Sequence, residues 1–507
     1  MLFHSVEFIF IFLPISCIII YLLQNKNFIV IKLLLIGSFI FYAYHSIYNL
    51  FLMIISILFN FLLGKNTYQN RKILYFGVFF NIALIAYFKY TYFIIDNIQT
   101  FFNLSLIYDF KKVALPLGIS FFTFQQIAYL VDNYNGQTPE KNIFRYALLV
   151  SFFPHSIAGP LVQYKEIAQQ FENIKLSVTN IAIGGTIFII GLFKKIIIAD
   201  GLAPCVNAVF GSLSINTVPS FAEAWFAAIC FTLQLYFDFS GYSDMAIGLA
   251  KIFNISFPLN FDSPYTATSI IGFWHKWHIT LSNFLKNYIY IPLGGNRHGS
   301  HIKYRNILIT MLIGGLWHGA SWTFIVWGGF HAVCLIINHI WYNFYSSKKI
   351  YFIKNNIYQM FSWFITITTV VFAWVLFRAE TFKEAIVIYK SMLGLHGISI
   401  SPSLENIIPR SFLFYHNGFF SNQLFYFLDY LPLIMFALFI SLFLPNIKNF
   451  LHFHLALQDS YSTTNKNFIK LKWAPSTMTA LSMSLMSVWI VLALLMQRKI
   501  DFLYFNF

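Results

Sequence analysis

Between Gly272 and His331 lie His275, His278, His298, His301, His318 and His331, a large share of the fourteen histidines in the chain. A neutral imidazole near pH 7 can take a proton from a hydroxyl, which is the work of a general base. His318 stands out because it ends the run Gly314-Gly315-Leu316-Trp317-His318-Gly319-Ala320, where small neighbours leave its ring open to approach. A charged side chain at membrane depth costs about 2.5 kcal/mol or more, so an ionisable residue inside an apolar run points to a function. The alternative for His318 is a structural histidine bonded between helices. His275 and His278 are three residues apart, so on a helix they share one face and could pair on a metal with His318 or His331. No Glu-x-x-His pattern accompanies them. No metal site is therefore expected.

Other residues in and near this stretch could bind rather than react. Asp238 and Asp244, in Tyr236-Phe237-Asp238-Phe239-Ser240-Gly241-Tyr242-Ser243-Asp244, are carboxylates in an apolar helix and must face polar partners or a water-filled cavity. They read either as a buried brace or as substrate contacts. Trp274 and Trp317 flank the histidines and serve as packing or as substrate lining. The turn Pro292 to Arg297, with Lys303 and Arg305 nearby, could cradle a phosphate and makes Arg297 a further binding candidate.

Positioning these residues falls to membrane helices. With 58% hydrophobic and only 10% charged content, a chain of 507 residues is not a set of soluble domains. Apolar runs of roughly 20 residues recur throughout, each able to cross a bilayer as a helix. The net charge of +15 belongs to cytoplasmic loops. No basic, aromatic-interleaved patch suggests nucleic acid. The four cysteines are scattered, without metal or disulfide spacing.

Val6 to Leu23 reads as a retained first span with its N-terminus outside, since Lys26 and Lys32 follow it. Further spans fall at Phe28 to Tyr44, Tyr48 to Leu63 and Ile73 to Ile94. Leu115 to Ser120 opens a tilted or re-entrant element carrying Thr123, Gln125 and Gln126, and Phe152 to Pro160 is a second interrupted segment. A span from Ile181 ends at Lys194-Lys195, and Phe221 to Leu235 starts the segment with the two aspartates. Asp262-Ser263-Pro264 offers a helix start. The mixed segment after it fits an interfacial or half-inserted helix. Trp322 to Trp341, Met360 to Phe377, Tyr430 to Leu444 and Met478 to Met496 complete about eleven membrane elements. The chain is expected to be one all-α polytopic membrane domain over 1–507. Its motifs lie within 113–345, with an extracytoplasmic loop at about 378–429 and an extracytoplasmic tail at 497–507.

Six ordered motifs carry a resemblance: Leu115 to Phe124, Phe152 to Pro160, Asp238 to Ala246, Phe273 to Ser282, Tyr290 to Arg297 and Gly314 to Ala320. Together they resemble the membrane-bound O-acyltransferase family, in the bacterial branch of alginate and peptidoglycan O-acetyltransferase membrane subunits. The resemblance implies tilted helices around a central tunnel, acyl-coenzyme A entering from the cytoplasm, and an acceptor reached from outside. The family's invariant histidine falls on His318 and its second histidine on His278. Its closing hexapeptide falls on Phe502 to Phe507 and places its tyrosine at Tyr504. His155 departs from the Gln-like residue expected there.

Acetyl-coenzyme A is then the expected donor, with no tightly bound cofactor. His318 would deprotonate a hydroxyl, His278 would orient the substrate or stabilise the oxyanion, and Tyr504 would carry the acyl group as a phenol ester. The chain carries no extracellular catalytic domain, so a periplasmic acyltransferase of the SGNH type is the expected partner at the bacterial inner membrane. The acceptor would be a cell-envelope polysaccharide, with peptidoglycan favoured slightly over alginate on the Ile, Asn, Lys and Phe bias. The competing classes are a transporter, which would show paired broken helices in two halves, and a histidine-rich metalloenzyme.

Overall fold

Helices are the only regular structure among the described residues of this computed structural model, which are 1–103, 114–211, 213, 218–347, 356–397, 424–451, 471–496 and 503. Among them six helices are long and apolar enough to cross a membrane: Ile47–Gly64, Arg71–Phe102, Val178–Phe210, Trp322–Phe344, Asn356–Arg378 and Thr477–Met496. Shorter apolar helices run over Phe8–Leu23, Asn27–Ala43 and Asp429–Phe443. Serine and asparagine cap several starts, as where the Ser177 hydroxyl accepts the Asn180 N–H at 3.1 Å.

The core is the 32-residue helix Phe221–Ile252, buried on every side over most of its length. Such a helix belongs inside a bundle rather than against lipid. It starts in a capping box, with Ser220 N–H donating to Glu223 at 2.9 Å. Its main partner is Val178–Phe210, and glycines spaced seven apart on each helix set their approach. A Cβ on Gly184 would stand 2.5 Å from the Gly248 carbonyl oxygen, and one on Gly191 2.6 Å from that of Gly241. Small residues let membrane helices meet backbone to backbone in this way. Gly315 and Gly328 do the same between Gly299–His318 and Trp322–Ser347.

Three expectations change. Lys194 and Lys195 do not end the Ile181 span. They sit on a π-turn, Lys194–Ala199, inside a helix that continues to Phe210. Buried carboxylates neutralise them there, so the helix need not leave the membrane. The segment after Asp262, expected as an interfacial or half-inserted helix, is not one continuous helix either. A 3-10 turn at Pro264–Thr266 and two short helices, Ile270–Trp274 and Ile279–Leu285, fold inward and bury Phe273, Trp274, Trp277 and His278. Finally, the expected loop 378–429 contains a helix, Phe382–Met392, held to the core where Trp225 Nε1 donates to Met392 O at 3.0 Å. Residues 398–423 of that loop lie outside the described residues.

The two interrupted segments have the expected character. Gly118, at φ +69°, begins Ile119–Tyr134, and a Cβ there would strike the Ser156 carbonyl. Residues 152–163 are irregular yet buried. Their backbone is satisfied by protein, as where Phe153 N–H donates to Ser38 Oγ at 3.1 Å and Leu161 N–H to Thr280 Oγ1 at 2.9 Å.

Candidate active site

His318 is the last residue of the helix Gly299–His318, and only 4% of it is exposed. Its ring is walled by Trp317 at 4.9 Å, Trp327 at 5.1 Å and Phe377 at 5.2 Å between centroids. His278 lies across from it, with ring centroids 6.3 Å apart. The predicted pair of histidines is therefore brought together from two elements forty residues apart in sequence.

A backbone break presents His278. It adopts φ +44°, a left-handed conformation unusual for a residue with a Cβ, between the two short helices. Asn260 holds the break: its carbonyl accepts Ile279 N–H at 2.9 Å, and its Oδ1 accepts Thr280 Oγ1 at 2.8 Å and faces His278 Nδ1 at 3.1 Å. An acceptor at Nδ1 fixes the tautomer with the proton on Nδ1, which leaves a lone pair on Nε2. The same break separates His275 from His278. The expected shared helical face does not exist, because His275 is exposed while His278 is fully buried. Among the described residues no three histidines, cysteines or carboxylates are grouped to hold a metal.

The binding candidates divide. Trp317 joins the site, packing on Phe121, Phe124 and both catalytic candidates. Trp274 is turned away from the pair, and its Nε1 donates to His331 Nδ1 at 3.3 Å. Asp238 and Asp244 are engaged by lysines. Lys195 Nζ is 2.6 Å from Asp238 and 2.8 Å from Asp200, and Lys194 Nζ is 2.6 Å from Asp244. Of the two readings of these aspartates, the geometry is that of the buried brace. Arg297 is exposed at the far end of the helix that His318 ends, about 28 Å away at the α-helical rise, and does not join the histidines.

Tyr504 lies outside the described residues. Its neighbour Leu503 is described, and Leu503 N–H donates to Asp238 Oδ2 at 3.1 Å. The next residue on the core helix, Phe239, packs against His278 at 4.7 Å. His155 fills its frame as a wall residue, with Nδ1 3.3 Å from Gln125 Nε2.

Residues not singled out from the sequence complete the site. Asn260 gave no signal there, since an asparagine in Leu259-Asn260-Phe261 looks like a turn. Lys89 did carry one, being a lysine within the apolar run Ile73 to Ile94. Its Nζ donates to Trp317 O at 2.6 Å and His318 O at 2.9 Å.

A buried pair of imidazoles in an aromatic enclosure, one with a fixed acceptor nitrogen, can accept a hydroxyl proton away from bulk water. The chain is 42% identical over 439 residues to the peptidoglycan O-acetyltransferase of Helicobacter pylori, covering 79% of this chain and 81% of that protein. It is 38% identical over 413 residues to a protein of Azotobacter vinelandii named "Probable alginate O-acetylase AlgI", covering 79% and 80%. A more distant relative is the teichoic acid D-alanyltransferase of Streptococcus thermophilus, 27% identical over 249 residues and covering 44% and 57%. Residues 22–377 match MBOAT, the membrane-bound O-acyltransferase family, and the chain is a multi-pass membrane acyltransferase belonging to that family.

Proposed function

We propose that the protein takes an acetyl group from cytoplasmic acetyl-coenzyme A and delivers it outside the bacterial inner membrane for O-acetylation of a cell-envelope polysaccharide. The observation that carries this reading is the His278–His318 pair, 6.3 Å apart in a buried aromatic enclosure. His318 removes the proton of an attacking hydroxyl, whose oxygen adds to the thioester carbonyl. The C–S bond then breaks, and coenzyme A leaves as the thiol with the proton that His318 held. His278, with its lone pair on Nε2, suits orienting a hydroxyl donor better than stabilising an oxyanion, which needs an N–H.

The first acceptor is Tyr504. Support comes from the anchor one residue earlier, where Leu503 N–H meets Asp238 beside the wall residue Phe239. The phenol ester then passes its acetyl group to the polymer through a periplasmic SGNH-type acyltransferase, and the whole chain 1–507 acts as one membrane domain. The names of the relatives supply the polymer class, and the 42% identical relative tilts the choice to peptidoglycan over alginate.

The test is incubation of the purified protein with radiolabelled acetyl-coenzyme A, followed by mass spectrometry of the C-terminal peptide. Label on Tyr504 that disappears in His318→Ala is the expected result. No label, with coenzyme A released only when an external acceptor is added, would overturn the tyrosine relay and leave direct transfer.

A further inference from the structure

The helix that ends in His318 closes with one long bond of its own, Gly319 N–H donating to Gly315 O at 3.4 Å. Gly319 leaves in extended conformation, at φ −163° and ψ 153°, rather than in the left-handed turn that normally closes a helix end. The carbonyls of Leu316, Trp317 and His318 are among the last four that a helix end leaves without an intrahelical N–H. At membrane depth no bulk water is at hand to replace it. All three are met from one place, the π-turn Ala86–Tyr90 inside the Arg71–Phe102 helix. Lys89 Nζ donates to the Trp317 and His318 carbonyls at 2.6 and 2.9 Å, and Tyr90 OH donates to that of Leu316 at 2.5 Å.

The extra residue of a π-turn shifts the register of a helix, and such turns gather at functional places. Here the shift sets two successive side chains, Lys89 and Tyr90, onto three successive carbonyls. A neutral donor would satisfy those oxygens at less desolvation penalty than an ammonium. What the lysine adds is several N–H donors on one atom, so that a single side chain meets two successive carbonyls, which a hydroxyl cannot do.

We propose that Lys89 and Tyr90 are positioning residues that clamp the end of the histidine helix and so fix where the His318 imidazole stands relative to the bound thioester. The clamp touches the peptide groups on both sides of Trp317 and the carbonyl of His318 itself, so the direction of the His318 Cα–Cβ bond follows it. The inference rests on His318 as the base, and adds how that base is held.

The experiment uses the full-length protein in detergent, with the rate of first-turnover coenzyme A release from labelled acetyl-coenzyme A as readout; kcat here is that rate at saturating donor, and KM the donor concentration at half of it. Lys89→Met is expected to lower kcat about 10- to 100-fold, the scale of a displaced catalytic group, with KM for the donor changed less than about twofold. Lys89→Arg keeps several N–H donors on one group and is expected to recover to within about fivefold of the parent. Tyr90→Phe, which loses one carbonyl partner, is expected to lower kcat by about two- to fivefold. A merely structural lysine would lower the yield of folded protein and leave kcat per folded molecule unchanged. Unaltered kcat in Lys89→Met, or an Arg variant as impaired as the Met variant, overturns the clamp. If Lys89→Met does not elute as a single species, Tyr90→Phe decides, and an unchanged kcat there overturns the proposal. His318→Ala is run alongside: full turnover in it sinks the base assignment, whereas an inactive His318→Ala beside a normal Lys89→Met sinks the clamp alone.

Discussion

Asp238 and Phe239 are adjacent on one helix and open onto two different interiors. Asp238 faces Lys195, which also holds Asp200, while Lys194 and Asp244 pair nearby. Phe239 faces His278 and, beyond it, Trp317 and His318. Both interiors place ionisable side chains where an apolar chain should have none. In the first, full charges neutralise one another at 2.6–2.8 Å and fix how two long helices meet. In the second, imidazoles are walled by aromatic rings, and Asn260 holds His278 as Trp274 holds the neighbouring His331. Charges paired this closely hold a position, whereas an unprotonated imidazole can accept a proton. The core helix keeps the two sets apart by facing them from successive residues.

Breaking the charged interior should show in stability, and breaking the neutral one in turnover. The largest effect expected is from Lys195→Met, which strands two carboxylates that are almost fully buried. Removing one partner of such a set costs about 3–5 kcal/mol. Loss of the folded protein on size exclusion, or a steep fall in melting midpoint, is expected, and an unmoved midpoint would mean that water reaches the pair. His318→Ala comes next: transfer should fall by about 10²- to 10⁴-fold, the usual share of a general base, while donor binding and melting midpoint stay at the parent values. Matching losses of stability in the two variants would erase the distinction between the interiors.

The contrast was partly legible in the sequence. Apolar run length placed most of the spans, and Gly-Gly-Leu-Trp-His-Gly-Ala marked His318, because local composition suffices for both. Lys194 and Lys195 misled, since lysines usually stand at the ends of spans, and only tertiary pairing with Asp200, Asp238 and Asp244 lets a helix carry them inward. His275 and His278 misled for a related reason. Their spacing fits one helical face, but Asn260, eighteen residues before His278, pins a left-handed break between them. Lys89 announced itself by its type, yet nothing local says that it reaches carbonyls more than two hundred residues away.

Two smaller changes sharpen the neutral interior. Asn260→Leu removes the acceptor that fixes the His278 tautomer, and kcat is expected to fall about tenfold, the effect of losing one buried hydrogen bond at a reacting ring. Asn260→Asp keeps an acceptor oxygen and should retain most of the turnover. Trp274→Phe is the smallest change. It removes only the indole N–H that His331 Nδ1 accepts, at 3.3 Å, and leaves an aromatic ring in place. A neutral bond of that length contributes about 0.5–1.5 kcal/mol, which should appear in the melting midpoint. Turnover should hold, because His331 is separated from His318 by the Trp327 ring, with centroids 5.0 and 5.1 Å from the two imidazoles. If Trp274→Phe instead slowed turnover as much as Asn260→Leu, His331 would belong with the reacting pair, and Trp327 would connect the two imidazoles rather than part them.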